Sequence, residues 1–93
     1  MMFQAIAIHH ARPEHVDAFL AFMARVIAKV GDAPGLIDFR SWRETQSSRL
    51  VGHSRWESEQ AFRDALPTIL SMAPERREEW SDRPDEVLLL AEV

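Results

Sequence analysis

Apolar and polar positions along this chain change their period several times, and each change marks an element. Phe3 to His10 is rich in Ile and Phe and alternates weakly, which predicts a buried strand. In that strand Gln4, Ile6, Ile8 and His10 share one face, and Phe3, Ala5, Ala7 and His9 share the other. Val16, Phe19, Leu20, Met23, Val26, Ile27 and Val30 then recur at helical spacing, with Phe22 widening the stripe. Pro13 suits the first helical position and Glu14 the positive end of the helix, whereas Arg12 is a poor N-cap. Gly31 suits a left-handed C-cap and Lys29 the last turn, and Ala33-Pro34-Gly35 has turn chemistry.

Leu36 to Thr45 reads as a second strand. It places Leu36, Asp38, Arg40, Trp42 and Glu44 opposite Ile37, Phe39, Ser41 and Arg43. Gln46-Ser47-Ser48 is a short polar connection, so the third strand, Arg49 to Trp56, returns antiparallel. Leu50, Gly52, Ser54 and Trp56 form one of its faces; Val51, His53, Arg55 and Glu57 form the other. Ser58 is an N-cap, and Ala61, Phe62, Leu66, Ile69 and Leu70 make the core stripe of a second helix. Pro67 predicts a kink or a restart in it. Pro74 opens a short helical piece from Glu75 to Ser81 that carries Trp80, and Pro84 ends it. Val87 to Val93 is the last strand, apolar enough to be central or to lie at an interface. The order β-α-β-β-α-β is ferredoxin-like α+β: one domain over residues 1–93, a four-stranded antiparallel sheet with two helices on one face.

Two helices leave the other sheet face bare. We expect it to carry Phe39, Leu89 or Leu90, and Val51 or Leu50, according to register. An apolar face of that kind marks an interface, and a second copy of the chain covers it in an isologous homodimer. The competing expectation is a wet face, since Arg40, Arg43, His53 and Arg55 are close by.

Composition narrows the partners. The chain has 93 residues and is 46% hydrophobic, enough for one small core, and a domain of this size gains from oligomerising. A net charge of −4 argues against a nucleic-acid surface. The absence of cysteine excludes disulfides, thiolate metal sites and a Cys nucleophile. No apolar run approaches the roughly 18 residues that span a bilayer, and the start lacks a signal-peptide pattern, so the expectation is a cytoplasmic domain.

The Pro34-Gly35 turn before the second strand, and the run Trp56-Glu57-Ser58-x-x-Ala61-Phe62 at the junction of third strand and second helix, resemble the antibiotic biosynthesis monooxygenase family. The resemblance runs from Phe3 to Val93. It implies a dimeric α+β barrel and, for the family's monooxygenases, oxidation of polycyclic phenols to quinones with O₂ and without metal or flavin. That chemistry needs a flat apolar slot between sheet and helices, a group for the phenol proton and hydrogen bonds to the anion. Trp56, Phe62, Phe19, Met23 and Ile6, with Met72 behind them, are the candidates for the slot. His10 or His53 is the candidate for the proton; His9, Arg40 and Arg55 are further polar groups. Trp56 has a second reading as ordinary core at a strand end. Strand phase adds a condition: if Trp56 faces the helices, His53 faces the partner. The haem-degrading branch of the family resembles this chain less, because Leu66 stands where its haem-ligating His would align and Ile6 where its pocket Asn would.

Other chemistries lack support. His9, His10, Glu14 and His15 match no metal-binding spacing on one element, so no metal is expected. Ser47, Ser48 and Ser54 lack a nucleophile elbow, and Gly31, Gly35 and Gly52 are too scattered for a phosphate loop. Asp38, Arg40 and Arg43 suit ion pairs, and Arg76-Arg77-Glu78-Glu79 suits a solvated face. Trp42 and Trp80 suit an interface or a lid, Trp80 being the more mobile between its prolines. Two functions remain: a cofactor-independent monooxygenase acting on a small phenolic aromatic, and a non-catalytic dimeric ligand-binding or structural module. A cavity shared by Gln4, Ile6, Ile8, His10 and Trp56 favours binding; a volume filled by Met23, Phe62 and Leu66 favours the module.

Overall fold

A computed structural model describes residues 1–93. Strands β1 (Phe3–His9), β2 (Leu36–Arg43), β3 (Leu50–Trp56) and β4 (Glu86–Ala91) form one antiparallel sheet in the order β2-β3-β1-β4. Helices α1 (Val16–Val30) and α2 (Glu59–Ser71) lie across one face. The fold is the ferredoxin-like β-α-β-β-α-β arrangement. No helix is long and apolar enough to cross a membrane.

Register assigns the faces. β1 meets β3 with Phe3 opposite Trp56, Ala5 opposite Ser54, Ala7 opposite Gly52 and His9 opposite Leu50. These residues face the helices. Trp56 is fully buried there, its ring 5.8 Å from that of Phe62, which lies 5.3 Å from Phe3. The opposite face carries Ile6 and Ile8 with Val51, His53, Leu88 and Leu90.

A bulge between Leu36 and Asp38 resets the phase of β2. Leu36 and Phe39 therefore both pack toward the helices, Phe39 opposite Ser54. Strict alternation separates those two residues, so the expectation that Phe39 lies on the bare face is corrected. Likewise Leu50 turns inward and Val51 outward, and Leu90 rather than Leu89 joins the bare face.

Several expectations about ends also change. Pro13–His15 forms a 3₁₀ turn ahead of α1, in keeping with the absence of a side-chain cap from Arg12. Gly31 is right-handed; the glycine with positive φ is Gly35, at +82°. Ser58 caps α2, its Oγ accepting from the Ala61 N–H at 3.1 Å. α2 runs through Pro67 unbroken to Ser71. The expected helix from Glu75 to Ser81 is instead two 3₁₀ turns, Ala73–Glu75 and Glu78–Trp80.

Trp80 is no lid. It is buried against Phe19 and Phe22, with ring centroids 5.6 and 6.0 Å away. Backbone bonds pin it on both sides: Arg12 N–H donates to the Trp80 carbonyl at 2.8 Å, and Asp82 N–H to the His10 carbonyl at 3.1 Å. The last strand is an edge strand and not a central one, and all its residues are exposed. Both of its faces are exposed, and its outer edge is unpaired.

Candidate functional site

Small residues open a hole in the core. Where the sheet passes under the helices, its inward positions are Ala5, Ala7, Gly52 and Ser54, two adjacent cross-strand pairs. Such positions usually hold β-branched or aromatic side chains that fill the space to the helices. Here a cavity of about 300 Å³ remains. Met23, Phe22 and Val26 of α1, Phe62, Leu66 and Ile69 of α2, and Phe39 of β2 form its walls. Leu70 and Val87, each 60% exposed, stand at its rim between α2 and β4. Met23, Phe62 and Leu66 thus line the volume and leave it open.

The polar end of the cavity is His9, Asp85 and Arg76. His9 ends β1 on the helix-facing side, its ring 4.8 Å from Phe19. Its Nδ1 lies 3.0 Å from Asp85 Oδ2. The contact is close but not aligned as a hydrogen bond, and this buried nitrogen has no other partner. Arg76 grips Asp85 with both terminal nitrogens, gives one more bond to Ser81 Oγ at 3.0 Å, and lies 4.8 Å over the Phe19 ring. Burial favours the neutral form of Asp85, but His9 and Arg76 outweigh it and hold the carboxyl well below the ordinary carboxylate range. Arg76 therefore leaves the solvated run in which its neighbours sit.

Ser54 is the other polar group in the wall. Its Oγ accepts from Trp56 Nε1 at 2.8 Å, so its own O–H remains free to donate. Trp56 itself does not line the cavity; it stands behind Ser54 and Phe62 as fully buried core. Phe19 plays the same backing role for His9, and Met72 is buried core as well.

The expected proton-handling histidines lie elsewhere. His53 stands on the bare face, its Nε2 2.7 Å from Gln4 Oε1, as the phase condition requires once Trp56 faces the helices. His10 follows the end of β1 and pairs through Nε2 with Glu86 at 2.8 Å. Neither lines the cavity. Ile6 borders it, although its cross-strand partners His53 and Leu88 belong to the opposite face. Arg55 and Asp38 form a two-pronged pair on that face, at 3.0 and 2.6 Å, with Arg40 alongside. Gln4, Ile8 and His10 thus do not share a cavity with Trp56. The sequence signal that points to His9 is its phase with Phe3 and with the small residues Ala5 and Ala7. Asp85 and Arg76 lie in connections and carry no periodic signal.

Comparison with solved structures supports the architecture. The chain is similar to Rv0793 from Mycobacterium tuberculosis, with TM-score 0.83 and 22% identity over 100% of this chain and 96% of that one. A conserved protein from Methanosarcina mazei superposes with TM-score 0.86 at 18% identity, covering 97% and 91% of the two chains. A variant of SnoaB, a cofactor-independent oxygenase from Streptomyces nogalater, gives TM-score 0.82 at 22% identity over 98% and 92%. At these identities the likeness is one of fold. No curated protein matches the sequence significantly. The sequence profile of antibiotic biosynthesis monooxygenases matches residues 1–68, which include both halves of the Pro-Gly and Trp-Glu-Ser-x-x-Ala-Phe signature, and the chain belongs to that family.

Proposed function

We propose that the cavity binds a small, flat, largely apolar phenol and that the protein oxidises it with O₂ as a cofactor-independent monooxygenase. The observation that carries this reading is the cavity of about 300 Å³, apolar along its length and polar at one end. That volume lies at the small end of ligand pockets. Family membership and the fold shared with a cofactor-independent oxygenase add support. Fold alone does not set chemistry, so the site has to supply it.

The reaction balances as phenol plus O₂ giving quinone plus water. The phenol O–H loses its proton, the electron-rich ring reduces O₂ and forms a C–O bond, and loss of water leaves the second carbonyl. Apolar walls limit contact with bulk water, and the free Ser54 O–H is a donor for the anion. Outside the cavity, His10 and His53 serve assembly in this reading. A second copy covers the bare face around Ile6, Trp42, Leu88 and Leu90, which completes the barrel expected for the family.

Thirteen of the eighteen lining residues are hydrophobic, and this favours a second reading, a ligand-binding module without turnover. Oxygen uptake over a panel of phenols separates the two, with Ala7→Leu as the variant that fills the cavity. Uptake abolished by Ala7→Leu supports the oxygenase. Binding without uptake supports the module. Neither binding nor uptake sinks both.

A further inference from the structure

We infer that His9 is the proton acceptor of this cavity, oriented by Asp85, and that the site selects weak acids whose ionisable group can reach His9 Nε2. The inference rests on the cavity reading above and deepens it. Three placements carry it.

First, Nε2 borders the space left open above Gly52, and both residues line the cavity. A Cβ at Gly52 would lie 3.9 Å from Nε2, and 3.8 Å from both Met23 Cε and Phe39 Cε1. The imidazole edge therefore borders the same space as the apolar walls. Second, the other ring nitrogen faces a carboxylate. Nδ1 lies 3.0 Å from Asp85 Oδ2, unaligned as a hydrogen bond, and is buried with no other acceptor in reach, so Asp85 is the group that can receive its proton. A carboxylate on Nδ1 leaves Nε2 as the basic nitrogen and stabilises the imidazolium that forms when Nε2 takes a proton. Third, the charges add up for an anion. Arg76 and Asp85 neutralise each other, and they are the charged side chains lining this end of the cavity. A proton arriving at His9 makes the cluster net positive, which the anion left behind balances. The step is a single transfer: the acid's O–H bond breaks, an N–H bond forms at Nε2, and the electron pair stays on oxygen.

The test uses 4-nitrophenol, whose phenolate absorbs visible light and whose conjugate base is close in strength to imidazole. Apolar walls alone push a bound acid's pKa up; a cationic partner pulls it down. Nitrophenol bound to the wild-type protein is therefore expected to ionise about one pH unit below the free compound, a tenfold change in the equilibrium. With His9→Gln that lowering is lost, and the affinity for the phenolate falls about tenfold relative to that for the neutral phenol. Identical bound spectra for wild type and His9→Gln across the pH range overturn the inference and leave the cavity reading standing. No binding to wild type, or binding that Gly52→Leu leaves intact, overturns the cavity reading and this inference with it. Should His9→Gln not fold, the ¹⁵N resonances of His9 in the wild type decide: they move to imidazolium positions as nitrophenol binds, or the inference fails.

Discussion

Gly35 and Ala61 touch so closely that a Cβ on Gly35 would lie 2.6 Å from the Cβ of Ala61. The glycine has φ +82°, and its carbonyl accepts the Glu57 N–H at 2.8 Å. Pro34-Gly35 and Trp56-Glu57-Ser58-x-x-Ala61-Phe62 are therefore two sides of one clasp, joining the start of β2 to the start of α2. A larger residue at either position pries the helix from the sheet.

Gly35→Ala combines a left-handed backbone with a methyl–methyl overlap, and we expect it to cost about 2–4 kcal/mol. For a chain this size each kcal/mol corresponds to about 4–8 °C in the melting temperature. Adding Ala61→Gly removes the overlap and leaves the backbone cost, so the double variant recovers part of the loss. Thermal melts of the four proteins in the cycle check this; equal stability of wild type and Gly35→Ala contradicts it.

Filling the hole separates stability from binding. Ala7→Leu places apolar atoms between Met23, Phe62 and the sheet, and is expected to raise stability by about 0.5–2 kcal/mol while removing phenol binding. Urea unfolding and equilibrium binding on the same preparation read both effects. A fall in both would mean that the space is too tight to accept a side chain.

Asp85 ties stability to acid. Its folded-state pKa is depressed from an ordinary 3.8, so its contribution is complete above that value and is lost as pH falls below it. Asp85→Asn, which weakens two charged bonds, is expected to cost about 1.5–3 kcal/mol at neutral pH. The gap in melting temperature between wild type and variant stays constant down to about pH 5 and narrows below about pH 4. A gap that widens toward acid would reverse the assignment.

On the bare face, Leu88 of the edge strand β4 sits opposite Ile6, midway along the pair, and Trp42 is 51% exposed. Leu88→Arg puts a charge where the second copy is expected to pack, and should convert a dimer into a folded monomer. Sedimentation equilibrium reads the mass, and a dimer that persists unchanged argues for another interface. Iodide quenching adds a local readout: Trp42 becomes accessible in the variant while Trp56 and Trp80 stay buried.

The fold was legible because its elements announce themselves locally. Helical spacing from Val16 to Val30, the Ser58 cap and alternation in β1 and β3 need no tertiary knowledge. Phase is fragile, however. One bulged residue after Leu36 moved Phe39 to the other side of the sheet, and nothing in the run Leu36 to Arg43 signals it. The site was harder still. His9 and His10 are neighbours on opposite faces, and choosing between them requires knowing which face the helices cover. Pairing Trp56 with Phe3 settles that question, because His9 shares the phase of Phe3. Arg76 and Asp85 come from irregular connections and meet only after the chain has folded. Trp80 read as mobile because prolines flank it, yet its own backbone bond to Arg12 and that of Asp82 to His10 hold it in the core.

The small residues beneath the helices act as a dial separate from the frame. Ala5, Ala7, Gly52 and Ser54 set how much room the cavity leaves, and none of them belongs to the clasp that identifies the family. Changing one methyl, hydroxyl or hydrogen there resizes the chamber and leaves the frame alone. Two chains with the same clasp can thus accept quite different guests, so the signature that makes kinship recognisable is silent about diet.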